Sequence, residues 1–137
     1  MPVIGINLKA VKATKIDKDI INVKVNNKAD TTNVREENLP GIGEHGLLID
    51  FEFSSIYNSD GKEVARIDMK GEVVYVGSDY KEIMKMWTKE KIIPEDTHID
   101  IINTIFRRCV SKAIVLAEDI QLAPPIGLPF AQKKKKE

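Results

Sequence analysis

One cysteine, one tryptophan and two histidines are all that 137 residues hold of several side chains that often carry chemistry. The single thiol, Cys109, excludes an internal disulfide framework. His45 and His98 lie far apart in sequence with no cysteine cluster, so no ligand set for zinc is evident. Charge of one sign is lacking too: Lys plus Arg and Asp plus Glu number 21 each, so no overall field recruits nucleic acid or an anionic membrane. No stretch reaches the roughly 18–20 apolar residues that a spanning helix needs, so membrane insertion is not expected. The start, "MPVIGINLKAVKATKI", has neither the basic opening nor the cleavage site of a signal peptide, and no Asn-x-Ser/Thr site occurs. The expected compartment is the cytoplasm.

What is present is an ordinary globular balance, 42% hydrophobic and 31% charged, long enough to bury a core. Neither an internal repeat nor a boundary divides it. The expectation is one domain over residues 1–130 and a basic flexible tail over 131–137 that contains Lys133 to Lys136.

Two periodicities organise the domain. From Val3 to Ala13 a period of two puts Ile4, Ile6, Leu8 and Ala10 on one face of a half-buried strand. "DIINVKVNN" is a shorter strand candidate, and the polar "NKADTTNVREENLPGIGE" reads as a long irregular connection. In "GLLIDFEFSSIYN", Leu47, Ile49, Phe51 and Phe53 alternate with Leu48, Asp50, Glu52 and Ser54. After the turn "NSDGKE", Ala65, Ile67, Met69, Val73 and Tyr75 face inward, giving an antiparallel hairpin with one wet face. Spacing then changes to three and four. "SDYKEIMKMWTKEK" predicts a short helix capped by Ser78 or Asp79, with Tyr80, Ile83, Met84 and Trp87 along one side. A long helix from about Pro94 to Gln121 gathers Ile102, Ile105, Phe106, Cys109, Ala113, Leu116, Ala117 and Ile120, widened by Val110 and Ile114. Strands followed by a helix that covers an antiparallel sheet make an α+β chain. The helix arc is broader than one sheet requires, so Cys109, Val110, Ala113 and Ala117 are candidates for an oligomer interface.

No catalytic constellation assembles. "GIGEHG" matches a dinucleotide fingerprint at Gly41, Gly43 and Gly46, but a strand follows it and a polar segment precedes it, the reverse of what phosphate binding at a helix N-terminus needs. Cys109 among apolar helix positions reads as a buried structural thiol. Asp50, Glu52, Asp68 and Glu72 are interleaved with Arg66 and Lys70 on a wet face, which suits a solvated mixed-charge surface better than paired catalytic carboxylates. The chain is therefore read as a non-enzyme with neither metal nor organic cofactor.

The ending "IQLAPPIGLPFAQKKKKE" calls for a different explanation. Its prolines forbid helix and interior strand, yet Leu122, Leu128 and Phe130 are apolar. An extended apolar strip beside the adaptable Met84 and Met86 and the aromatic Trp87 suits the walls of a groove for an unfolded segment. Covering the open end of the core is the plainer use of the same strip.

The order of features resembles the SecB family of protein-export chaperones. The resemblance is carried by "GLLIDFEFSSIYNSDGKEVARIDMKGEVVYV" for the hairpin and "INTIFRRCVSKAIVLAEDIQLAPPIGLPF" for helix and tail, and covers about residues 3–130. It implies a four-stranded antiparallel sheet with the long C-terminal helix packed on one side, assembled as a homotetramer, a dimer of dimers. It also implies a holdase for unfolded polypeptides that works without ATP. The candidate client contacts, Met84, Met86, Trp87, Leu122, Leu128 and Phe130, come from the apolar strip and the segment before the long helix, not from the resemblance. The chain ends in lysines where familiar members continue into a further helix and an acidic tail, which argues against docking on a SecA-type motor. A chaperone of a toxin–antitoxin system, an adaptor that binds one folded partner, and a small-ligand protein with a closed cavity are the alternatives.

Overall fold

The computed structural model describes residues 3–16, 23–39 and 44–126. The chain forms β1 (Val3–Lys15), β2 (Lys24–Leu39), β3 (Glu44–Ser59), β4 (Lys62–Tyr75), α1 (Tyr80–Glu90) and α2 (Glu95–Asp119). The strands make one antiparallel sheet in the order β1-β4-β3-β2, which leaves β1 and β2 at its edges. The fold is α+β, with both helices on one face of the sheet.

The central hairpin follows its alternation. Leu47, Ile49, Phe51, Phe53, Ser55 and Tyr57 of β3 and Ala65, Ile67, Met69, Val73 and Tyr75 of β4 are all buried under the helices. At the turn, Asp60 (φ 50°) and Gly61 (φ 77°) both adopt left-handed geometry, the arrangement a two-residue hairpin of the Asp-Gly type demands. Asp79 occupies the N-cap position of α1, but its carboxylate makes no capping hydrogen bond. It accepts instead from the Tyr75 hydroxyl at 2.8 Å, tying the helix start to the end of β4.

Two expectations are corrected. Residues 27–39, expected to be irregular, are most of the 16-residue β2, paired with β3 from Lys24↔Asn58 to Leu39↔Glu44. Polar residues survive there because β2 is an edge strand whose ladder to β3 supplies the hydrogen bonds, and only Val34 and Leu39 of it are fully buried. In β1, Ile4 and Ala10 do not share the inner face with Ile6 and Leu8; both are exposed. Register shifts at Val3/Gly5 and Leu8/Ala10 change the phase, so Val11 and Ala13 stand opposite the inward Met69 and Ile67.

The uncovered face is a ladder of charges. Arg35 of β2 donates from Nη2 to Asp50 of β3 (3.1 Å) and to Glu72 of β4 (2.8 Å), and Lys9 of β1 lies 3.0 Å from Glu72, so each strand contributes one member. Burial alone would push the Glu72 carboxyl up, but hydrogen bonds and charge from Lys9, joined by Arg35 and Asn7, hold it below its ordinary value of 4.5. A carboxyl depressed on folding stabilises the native state above its unfolded pKa, and that contribution fades as pH falls through the folded one. Glu72→Gln should therefore cost no more than about 1 kcal/mol at neutral pH, the scale of partly exposed ion pairs. The cost should fade only as pH drops below 4.5 and through the lowered folded value, as read by urea denaturation at neutral pH and in strong acid. An equal cost at both would refute the coupling.

Candidate functional site

The candidate residues from the sequence fall into three groups. Cys109, Ala113 and Ala117 belong to the stripe Ile101, Ile105, Cys109, Ala113, Ala117, every member of which is fully buried against the sheet of its own chain. They retain no area for a partner, and the small side chains let α2 approach the sheet closely. Val110 belongs to a parallel stripe one residue on, Ile102, Phe106, Val110 and Ile114, which is only half-buried. Phe106 meets Phe53 edge-on, ring centres 6.2 Å apart. Ile99 (49% exposed) and Val115 (50%) stand farther out on the same helix. Any partner contact through α2 therefore belongs to this second stripe and the outer residues.

Burial also pushes the Cys109 thiol up to about 11, partly offset by the charge of Arg108. Thiolate is the reactive form, so thiol reagents should label Cys109 at least tenfold more slowly in the native protein than in denaturant. Equal rates would place the sulfur at the surface.

The second group is the strip. α2 ends in a Schellman motif: Gln121 is left-handed (φ 58°) and donates to the Glu118 carbonyl, while the Leu122 N–H reaches the Ala117 carbonyl at 2.7 Å. Beyond it, the Tyr57 hydroxyl donates to the Ala123 carbonyl (2.6 Å) and Asn27 Nδ2 to the Pro125 carbonyl (2.9 Å). Asn27 is itself held by the Ser55 hydroxyl at 2.5 Å. Desolvation pushes the Tyr57 phenol up to about 12, so it stays a donor. Leu122 and Pro125 are buried, closing the end of the core, and Ile126 is 40% exposed. Leu122 is thus a core residue rather than a free groove wall. Leu128 and Phe130 lie outside the described residues. Asn27, Ser55 and Tyr57 were not singled out in the sequence; the pairing of β2 with β3, which brings Asn27 opposite Ser55, was the missing signal.

The third group is α1. Trp87 is 7% exposed and belongs to the core; Met84 and Met86 are half-buried. α1 packs over β2 and β3, and between it and the edge strand lies a shallow cavity of about 550 Å³ lined by Glu36, Lys81, Met84, Lys85, Thr88 and Lys89. A smaller one of about 220 Å³ opens between Thr31 of β2, Trp87, Lys91, Ile92, Ile93 and His98. Asn27 under the strip, Thr31 at the small pocket and Glu36 at the larger cavity follow one another along β2, about 13–17 Å apart at the rise of an extended strand. Of the sequence candidates, Met84 and Trp87 thereby border cavities beside the β2 edge, while Leu122 stays in the closed end of the core.

A concavity of about 490 Å³ on the open face of the sheet has different chemistry. Its Arg66 is paired with Asp68 at 2.9 Å and its Lys70 with Glu52 at 3.5 Å, so much of its charge is already neutralised. His45 is exposed on β3 and His98 sits in the first turns of α2; among the described residues no cluster of three metal-ligating side chains forms. Gly41 and Gly43 of the glycine-rich stretch lie outside the described residues. No described helix is long and apolar enough to cross a membrane.

No protein-family model and no curated protein matches the chain. Among solved structures, a SecB-like chaperone of Mycobacterium tuberculosis, in complex with a peptide from an antitoxin, has the same fold. The TM-score is 0.59 over 97% of this chain and 91% of that one, at 11% sequence identity.

Proposed function

We propose that this protein is a chaperone-type polypeptide-binding protein that holds extended, non-native segments along the β2 edge without nucleotide hydrolysis. The observation that carries this reading is the edge itself: a 16-residue strand that, among the described residues, has one side unpaired by the sheet, with cavities beside it at Thr31 and at Glu36. A free strand edge takes an incoming backbone by hydrogen bonds that are blind to sequence, while adjoining pockets take alternate side chains. The methionines of α1 suit such a wall, because an unbranched thioether repacks around different partners. The peptide carried by the structural neighbour supports the same reading, since there too a SecB-like chaperone holds a segment of another chain.

Self-association belongs to this proposal. The half-buried stripe Ile102, Phe106, Val110, Ile114 with the exposed Ile99 and Val115 offers α2 a second apolar side, suited to burial between subunits of a homotetramer. Equal counts of acidic and basic residues give the chain no overall acidity to attract a SecA-type motor, so a stand-alone holdase fits better than a delivery factor for export. The adaptor reading, binding to one antitoxin-like segment, keeps its place because the neighbour was solved with such a peptide.

The deciding test is suppression of aggregation of several unrelated unfolded proteins, run beside a mass measurement in solution. Suppression of all of them by an oligomer is the expected result. Failure with every client overturns the holdase, and protection of a single client converts it to the adaptor. Within the same assay, Leu128→Ser with Phe130→Ser should weaken client binding severalfold with little change in melting temperature. If the pair unfolds the protein, the strip is core to its end and is no part of the groove.

A further inference from the structure

The small pocket beside Thr31 contains an anomaly in Trp87. The residue is 7% exposed, its ring is part of the pocket wall, and its indole Nε1–H is sealed from water with no acceptor among the described residues. A sealed donor without an acceptor is costly, and a residue there for packing alone would do better with an apolar ring or with an acceptor built beside it. The other polar side chains of the wall can all donate, although Thr31 and His98 can accept as well. Lys91 carries a permanent cation, its Nζ 5.7 Å over the indole ring; His98 and Thr31 supply further donors; and Ile92 and Ile93 make the rim aliphatic. Among the described residues no carboxylate lines the pocket. Glu95 and Asp96, in the first turn of α2, are exposed and not part of its wall.

We infer that this pocket is a carboxylate subsite, which takes an Asp or Glu side chain of an extended segment lying along β2. This rests on the polypeptide-binding reading above and gives it a sequence preference. The chemistry follows from the lining: neutral and cationic donors around one small space favour an anionic acceptor, and the one donor that is already desolvated, the Trp87 Nε1–H, interacts with it more strongly than it would in water. Thr31 fixes the position, because it stands on the edge strand, where a paired segment would run alongside the pocket. Lys91 stands in the wall beside the indole. It lies at the left-handed C-cap of α1 (φ 57°) and is exposed, so its stem is free to swing aside as the carboxylate comes within reach of Nε1–H.

The test uses two short aliphatic-rich peptides with blocked ends that differ only by Glu or Gln at the centre, followed by anisotropy of an attached dye. The Glu peptide should bind roughly tenfold more tightly, the worth of one charge-assisted hydrogen bond. Lys91→Gln should remove most of that preference. Replacing Trp87 by benzothienylalanine, which keeps the ring shape and deletes the N–H, should do the same without lowering the melting temperature of the free protein. Equal binding of the two peptides, or a preference that survives both replacements, overturns the subsite while leaving polypeptide binding intact. Binding of neither peptide overturns it as well, and the aggregation assay then decides separately whether the wider reading stands. Should the analogue fail to fold, Lys91→Gln at the exposed rim still decides.

Discussion

Arginine at Ala113 or Ala117 is expected to abolish folding of the subunit. Both side chains are fully buried in the stripe of α2 that lies on the sheet of its own chain, with Cys109 one turn before them. A guanidinium there has no carboxylate to meet, since the sheet beneath offers Phe51, Phe53, Ile67 and Met69. An unpaired charge in such a place costs several kcal/mol, added to the overpacking of a long side chain where a methyl fits. Against a total stability of about 5–15 kcal/mol, that leaves little or no native state. Far-UV and near-UV circular dichroism should both collapse. The contrast is Ile114→Arg or Val115→Arg, one and two residues along, on positions half-buried or exposed in the subunit. These should keep both spectra and lower only the mass in solution. A folded monomer from Ala117→Arg would mean that the stripe faces a partner after all, and a folded full-size oligomer from Val115→Arg together with Ile114→Arg would move the interface off α2.

The place of Ala117, offered by the pattern as an interface residue and buried instead on the sheet of its own chain, marks the limit of what periodicity tells. The sequence pattern is enough to define an apolar arc on the helix, because steps of three and four recur from Ile102 to Ile120. It does not divide that arc between sheet and outside, because the dividing line depends on how the helix lies across the strands. The hairpin was fully legible for the opposite reason: in β3 and β4 one face is apolar and the other charged, and the Asp-Gly turn fixes the register between them. β2 was legible only at its start. Its polar run has no alternation strong enough to announce a strand, and the ladder to β3 that makes it one is a long-range interaction. The candidate site suffered most from this. Trp87 and the methionines stood out by residue type, but Asn27, Thr31 and Glu36 acquire meaning only once β2 exists as an edge beside α1 and the strip. Asp79 shows the same effect in miniature: the sequence marks it as a cap, and tertiary contact with Tyr75 diverts its carboxylate.

Gly71→Ala should have the second largest effect, though it adds a single methyl. Gly71 stands in the middle of β4, at an inward position of the alternation and opposite both Phe51 of β3 and Leu8 of β1. A Cβ built there would overlap the carbonyl oxygen of Asn7 and come within 3.1 Å of the Asn7 carbonyl carbon and of the Leu8 Cα. All three atoms are backbone, so no rotamer change relieves the contact; β1 itself must shift at the point where its register slips between Leu8 and Ala10. Overpacking of this sort costs typically about 1–3 kcal/mol, and the upper end applies where the obstacle is main chain. The loss should be local before it is global. β1 is an edge strand held by one ladder, and its displacement also uncovers Ile6, Leu8 and Ala13, which pack against the core. Hydrogen exchange should therefore show amides of β1 opening far faster in Gly71→Ala, while the β3–β4 hairpin keeps most of its protection. Gly5→Ala, in β1 itself, is the control: a Cβ there meets nothing within 4 Å, so stability should hold or rise slightly as the unfolded chain loses freedom. A Gly71→Ala protein with wild-type melting and wild-type exchange in β1 would show that the two strands do not approach as closely as the sheet requires.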